Sequence, residues 1–174
     1  SREERVREVV KRMLERDEEL LRRIREEVER ALRRNDEVLR EIERVVEEME
    51  ERVERLKREG VDRKDLERLV EEALRVVREA IKELERTTRE LEDLIRKLIE
   101  ELRDSTRKVD ELIKRKVTDE VLEDLRRLLE ESVRRVEDLL KKLTDIVRES
   151  RKRVRDILRK AKRIVDKLRE EIKK

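Results

Sequence analysis

The chain has 174 residues, of which 59% are charged and 34% hydrophobic, with no aromatic residue, no Pro, no His, no Cys and one Gly. Without His and Cys, disulfides, thiol chemistry and the usual nucleophilic triads are excluded, and a single Gly excludes a glycine-rich phosphate loop. Basic and acidic residues nearly balance, at 53 and 50, for a formal net charge of +3. Together with a helical apolar period, this composition points to long helices or a coiled coil.

The first predicted helix begins at the start of the chain and follows an eighteen-residue repeat. Ser1 opens an S-x-x-E capping box. Apolar residues then recur every eighteen positions, as at Val6, Ile24 and Ile42. Eighteen residues make five turns at about 3.6 residues per turn, so the repeat predicts a nearly straight helix. We expect this helix to end at Gly60, because a helix C-terminus commonly adopts a left-handed conformation that favours glycine.

Two further caps mark the starts of the second and third helices. Asp62 is the predicted cap of the second helix. Thr118 is the predicted cap of the third, where Val117 and Leu122 have the spacing of a hydrophobic staple. The eighteen-residue repeat continues through both helices. The predicted helices span about 2–59, 63–116 and 119–174.

Three helices of near-equal length joined by two short turns predict one domain over residues 1–174. The predicted fold is an all-α, up-down-up antiparallel three-helix bundle. The apolar positions of each helix fall in one arc of roughly 140–160°, which suits contact with two neighbouring helices. No second apolar stripe remains outside this arc, so we expect a monomer. We also expect a soluble protein, because no apolar run approaches the ~18 residues of a membrane span.

Eight polar residues interrupt the apolar arcs, and the antiparallel register predicts that they meet in two layers. The first layer contains Asn35, Thr87, Thr88 and Ser150, and the second contains Asp17, Ser105, Thr106 and Ser132. A buried polar group without a partner costs about 1–3 kcal/mol, so we expect each layer to form a hydrogen-bond network that fixes the register. Asn35 is the expected hub, and its replacement by Leu alone should be near neutral or mildly destabilising. Two alternatives stay open: a small-ligand or water-filled polar pocket, and an accidental surface position.

No catalytic, cofactor-binding or metal site is predicted. Adjacent carboxylates diverge on a helix, and carboxylate-bridged metal sites in bundles normally use inward Glu-x-x-His motifs, which a chain without His lacks. The most basic run, Arg151–Lys174, contains twelve Lys and Arg against four acids. We interpret it as a solvated helix end whose cations suit the C-terminal dipole. We therefore expect no cofactor, no nucleic-acid partner, no membrane partner and no enzyme activity.

At this point the chain resembles computationally designed, parametrically generated helical bundles with buried hydrogen-bond networks. The resemblance covers all 174 residues and rests on the repeat, the equal helices, the caps, the Glu, Arg and Lys surface and the polar layers. Natural spectrin-like repeats share the topology but usually carry core aromatics, which this chain lacks. Asp17 departs from the pattern of the designed bundles, whose buried networks are generally uncharged. The resemblance implies a hyperstable scaffold without natural biochemical function. The alternative is a helical interaction module within a designed complex or binder.

Overall fold

The computed structural model describes residues 1–116 and 118–174, and only the backbone of Lys116 and Glu120. Three α-helices account for nearly all of these residues: α1 is Arg2–Arg58, α2 is Arg63–Lys116 and α3 is Asp119–Lys173. The prediction of an all-α three-helix bundle is confirmed, and the predicted helix boundaries agree with the observed ones to within one residue. The predicted staple of Val117 and Leu122 lies outside the described residues.

The end of α1 is fixed by Gly60, as predicted. Its backbone has φ of +79°, a left-handed conformation that side chains with a Cβ disfavour. The amide of Val61 donates to the Leu56 carbonyl at 3.1 Å, and the amide of Gly60 donates to the Lys57 carbonyl at 3.2 Å. This pair of bonds defines a Schellman motif, which satisfies carbonyls that the helix end would otherwise leave without donors.

The starts of α1 and α2 also follow the prediction. The amide of Glu4 donates to Ser1 Oγ at 3.3 Å, while the Ser1 ammonium lies 3.5 Å from Glu4 Oε2. These reciprocal contacts make a capping box. Asp62 occupies the N-cap position of α2, and its backbone carbonyl accepts from the amides of Asp65 and Leu66 at 3.0 and 3.2 Å.

Thr118 lies at the N-cap position of α3, but its hydroxyl does not cap the helix as predicted. The Thr118 carbonyl accepts from the amides of Val121 and Leu122, as a residue preceding a helix should. Its hydroxyl donates instead to Glu3 Oε1 on α1. A carboxylate is a strong, charge-assisted acceptor. The hydroxyl therefore links the starts of two helices.

Packing divides the chain into two compact units, each with a segment from all three helices. Unit 1 consists of Ser1–Arg30 and Leu91–Ile146, and unit 2 consists of Ala31–Glu90 and Val147–Lys174. Unit 1 contains an apolar cluster around Val10, Ile113 and Leu125, and unit 2 contains two further clusters. A single domain over 1–174 remains a prediction.

Contacts inside each unit establish the directions of the helices. In unit 2, one cluster joins Met49 on α1 to Leu66 and Val70 on α2, while the other joins Leu39 to Leu84. From Leu39 to Met49 the residue numbers rise along α1, while the numbers of the residues that they contact on α2 fall from Leu84 to Leu66. These two helices are therefore antiparallel. α1 and α3 are parallel in both units, as shown by the contacts Glu3–Thr118, Glu18–Ser132, Asp36–Arg153 and Lys57–Glu171.

The eighteen-residue repeat is visible in the core itself. Each helix buries three residues spaced eighteen apart: Val10, Val28 and Val46; Leu66, Leu84 and Leu102; Leu125, Leu143 and Ala161. Burying a Val, Leu or Ile side chain contributes about 1.5–3 kcal/mol relative to its exposure. The repeat therefore sets which residues supply most of the packing energy, and it also sets where the polar positions fall.

Candidate functional site

The eight predicted polar residues lie on the inner or flanking faces of their helices, four in each unit. We call the set in unit 1 the Asp17 layer and the set in unit 2 the Asn35 layer, with the members given above. Ser132 is 2% exposed, and Asn35 and Ser150 are each 3% exposed. The other five are half-buried. Burial is therefore confirmed for Asn35, Ser132 and Ser150 and is partial for the other five.

In the Asp17 layer, the central bond joins α1 to α2. Ser105 Oγ donates to Asp17 Oδ2 at 2.6 Å. A hydroxyl bound to a charged acceptor makes a short and strong bond, with a typical net contribution of about 1.5–3 kcal/mol. The predicted meeting of Asp17 with Ser105 is therefore confirmed, as is the antiparallel register of α1 and α2 at this level of unit 1.

Thr106 and Ser132 do not donate to Asp17, contrary to the prediction. Thr106 Oγ1 donates to the Leu102 carbonyl at 2.8 Å, one helical turn back on α2. A Thr in a helix can always satisfy itself in this way, so its hydroxyl needs no partner on another helix. Ser132 Oγ donates to Glu18 Oε1 at 3.4 Å.

Glu18 is a member of this layer that sequence reasoning missed. Its Oε1 also lies 2.8 Å from Arg135 Nε and Nη2 on α3. The Glu18 side chain is 19% exposed, whereas that of Arg135 is 59% exposed. An available signal was the spacing: an acid on α1 and an Arg on α3 recur eighteen residues later as Asp36 and Arg153, which pair at 3.3 Å.

Burial raises the pKa of Asp17 above its ordinary value of 3.8, because desolvation penalises the charged carboxylate. The bond from Ser105 and the positive charge of Arg16 both act in the opposite direction. The neighbouring charge of Glu18 adds to the increase. Desolvation is the largest of these effects, so the Asp17 carboxylate is less hydrated than an exposed one.

The Asn35 layer does not form the predicted network. Asn35 Nδ2 and Ser150 Oγ are enclosed and have no hydrogen-bond partner among the described residues. Thr88 Oγ1 donates to the Leu84 carbonyl at 2.8 Å, so this hydroxyl is satisfied within its own helix. Asp36, the counterpart of Glu18 in the repeat, accepts from Arg153 Nη2 at 3.3 Å and makes no bond to Ser150. The expectation that Asn35 is a bonded hub for Thr87, Thr88 and Ser150 is therefore wrong.

Other kinds of site were also sought in the part of the chain that the structure describes. In residues 1–116 and 118–174, no group of three or more Asp or Glu side chains is arranged to hold a metal ion. Within the same ranges, no helix is both long and apolar enough to span a membrane. The two polar layers are thus the most distinctive chemical features of the described interior.

Comparison of this chain with protein families, with curated proteins and with solved structures yields no match.

Proposed function

We propose that this chain is a designed protein with a structural role: a monomeric helical scaffold without natural biochemical activity. The observation that carries this proposal is the shared spacing of the core, in which each helix buries three residues eighteen apart. Such agreement between local helix propensity, apolar pattern and caps is what a sequence chosen for one backbone requires. The polar layers, in this reading, limit the registers that the helices can adopt.

Catalysis has no part in the proposal. The chain has no His and no Cys, and most of the ion pairs among the described residues join an exposed carboxylate to an Arg or Lys of the same helix. Pairs such as Arg25–Glu29 and Arg63–Glu67 are exposed i,i+4 contacts. Each of these contributes about 0.3–0.5 kcal/mol to helix stability and provides no reactive group.

A second candidate is a helical interaction module, and one observation favours it. Val76 is 55% exposed and lies in a groove of about 550 Å³ between α1 and α2 of unit 2. Val38, Val45 and Ala80 supply further apolar surface to this groove. Amphipathic helices dock their apolar faces into grooves with apolar surface. Charged residues complete the lining of this groove: Glu41, Glu79, Lys82, Glu83 and Arg86. The sequence-based expectation was that no second apolar stripe remains outside the arcs, and Val76 and Val9 are the large apolar residues found exposed among the described residues.

Size-exclusion chromatography with multi-angle light scattering tests the two candidates against each other. For a scaffold we expect 21.5 kDa over the accessible concentration range. A concentration-dependent rise in mass that Val76→Glu abolishes would favour the interaction module and contradict the monomer. Val9→Glu is the matched control, because Val9 is 45% exposed but is not part of the groove.

The scaffold proposal also makes a prediction about heat. Consistent caps, helix propensity and core pattern should keep the helical circular-dichroism signal intact at about 90 °C, the range of hyperstable domains. A cooperative melt near about 55 °C, as in an ordinary mesophilic domain, would contradict it.

A further inference from the structure

A groove of about 360 Å³ reaches the Asp17 layer of unit 1 between α2 and α3. Its polar lining contains Asp17, Thr106 and Ser132, and its charged rim contains Arg103 and Glu137. The walls are apolar and consist of Leu14, Ile99, Leu102, Val133, Val136 and Leu140. A volume above about 300 Å³ with apolar walls and a few convergent polar groups is typical of a small-molecule site.

The polar groups of Asp17, Thr106 and Ser132 act as acceptors in this groove. The hydroxyl hydrogen of Thr106 is used by the Leu102 carbonyl, and that of Ser132 is used by Glu18. Each hydroxyl oxygen retains lone pairs that can accept. The Asp17 carboxylate, when ionised, can only accept. A ligand that enters the groove therefore meets three oxygen acceptors and no free hydroxyl donor.

The charge of the groove comes from Asp17. The carboxylate accepts one bond, from Ser105 Oγ to Oδ2 at 2.6 Å. Among the described residues it has no ion-pair partner. Arg103 and Glu137, which have opposite charges, also line the groove, so the lining as a whole has an excess of one acid when Asp17 is ionised. Arg16 acts on Asp17 electrostatically but does not line the groove.

We propose that this groove is a binding site for a small primary ammonium ion that carries a compact hydrocarbon body. An ammonium group offers three N–H donors and a positive charge, matching the acceptors and the carboxylate. Its hydrocarbon body would cover the apolar walls. A carboxylate or phosphate ligand would find Arg103 as the one cationic donor of the lining and would be repelled by both Asp17 and Glu137. This inference goes beyond the scaffold role and does not depend on it.

The first test compares two ligands of almost the same shape against the full chain. Cyclohexylmethylamine is protonated at neutral pH, whereas cyclohexylmethanol is its neutral counterpart. Titrations followed by ¹H–¹⁵N correlation spectra should show saturable shifts around Asp17, Leu102 and Ser132 with the amine. For so few non-hydrogen atoms we expect a dissociation constant of about 1 mM. The alcohol should bind about tenfold more weakly, because it lacks the charge.

The second test uses matched variants. Asp17→Asn preserves shape and removes the charge, so the amine should bind it about tenfold more weakly. Asp36→Asn is the control, since it removes a half-buried carboxylate from unit 2 and should leave the affinity unchanged. Far-UV circular dichroism checks that both variants remain helical. Residues around Asn35, where an amide replaces the carboxylate, should show no saturable shift.

Three results would overturn the proposal. The first is equal affinity of the amine for the parent chain and for Asp17→Asn. The second is equal affinity of the parent chain for the amine and for the alcohol. The third is a set of small, non-saturable shifts spread over the acidic surface, which would indicate general attraction of a cation to exposed carboxylates.

Discussion

The two polar layers occupy equivalent positions in the eighteen-residue repeat, yet only one of them is well bonded. Position 17 is Asp and position 35 is Asn, while the residues that follow them are Glu18 and Asp36. In the Asp17 layer the carboxylates of both residues accept hydroxyl hydrogens. In the Asn35 layer, Asn35 Nδ2 and Ser150 Oγ remain without partners.

The layers differ at three equivalent positions: Asp17 against Asn35, Glu18 against Asp36, and Ser105 against Thr87. A carboxylate at position 17 attracts the hydroxyl of Ser105, whereas the amide at position 35 carries no charge. The extra methylene of Glu18 allows it to touch both Ser132 and Arg135, whereas Asp36 bonds Arg153. A repeat therefore decides which positions meet, and side-chain length and charge decide whether they bond.

Removal of the unpaired amide in the Asn35 layer should have the largest effect. Asn35→Leu keeps nearly the same shape and removes a buried donor whose lack of a partner costs about 1–3 kcal/mol. Because Thr88 already bonds its own helix, no hydroxyl depends on Asn35. We now expect the free energy of unfolding to increase by about 2 kcal/mol. Guanidinium denaturation at elevated temperature measures it, and a decrease of similar size would show that Asn35 is bonded after all.

The opposite outcome is expected when the best bond of the Asp17 layer is removed. Ser105→Ala deprives a half-buried carboxylate of its donor, so the free energy of unfolding at neutral pH should fall by about 2 kcal/mol. Thr87→Val is the matched control at the equivalent position of the Asn35 layer, where no carboxylate is present. We expect it to stay within about 0.5 kcal/mol of the parent. If denaturant melts show equal losses of unfolding free energy for both variants, the Ser105–Asp17 hydrogen bond contributes no more than an uncharged one.

Much of this comparison could be predicted from the sequence, and the reason lies in the backbone. The antiparallel turn at Gly60 fixes which residues of α1 and α2 meet, so the contact of Asp17 with Ser105 follows from their numbers. The hydrogen-bond acceptors of Thr88 and Thr106 could not be predicted from the register. The hydroxyl of a Thr in a helix can donate to the i−4 carbonyl of the same helix and not to a neighbouring helix. Glu18 was not predicted, because only the polar residues that interrupt the apolar arcs were considered and acids are common at the other positions of this chain.

Exchange of Glu18 and Asp36, the acids that follow positions 17 and 35, should exchange the bonding of Ser132 and Ser150 between the two layers. Asp36→Glu restores the length that Glu18 uses, so Ser150 should gain an acceptor and the free energy of unfolding should rise by about 1 kcal/mol. The reverse change, Glu18→Asp, should leave the Ser132 hydroxyl without its acceptor and lower the free energy of unfolding by a similar amount. A double-mutant cycle of Asp36→Glu with Ser150→Ala isolates the new contact. A gain that persists without the Ser150 hydroxyl would assign it to the Arg153 pair instead.

The smallest effect we expect is a dependence on pH that belongs to Asp17 alone. Burial raises the folded-state pKa of Asp17 above 3.8, so the folded chain holds this proton more tightly than the unfolded chain does. The contribution of Asp17 to stability is fully present below that ordinary value and is lost as pH rises through the higher folded-state pKa. The stability of the parent chain relative to Asp17→Asn should therefore fall as pH rises from below 3.8 through the raised folded-state pKa of Asp17.

This pH dependence can be measured and moved to the other layer. Guanidinium melts of the parent and of Asp17→Asn, compared at each pH, cancel the titration of the many exposed acids that the two chains share. Asn35→Asp should introduce a dependence of the same sign into the Asn35 layer, because it buries a carboxylate at the equivalent position where Thr87 stands in place of Ser105. If the difference between parent and Asp17→Asn instead grows with pH, hydrogen bonding to the carboxylate outweighs its desolvation, and the two layers differ mainly in bonding and not in burial of charge.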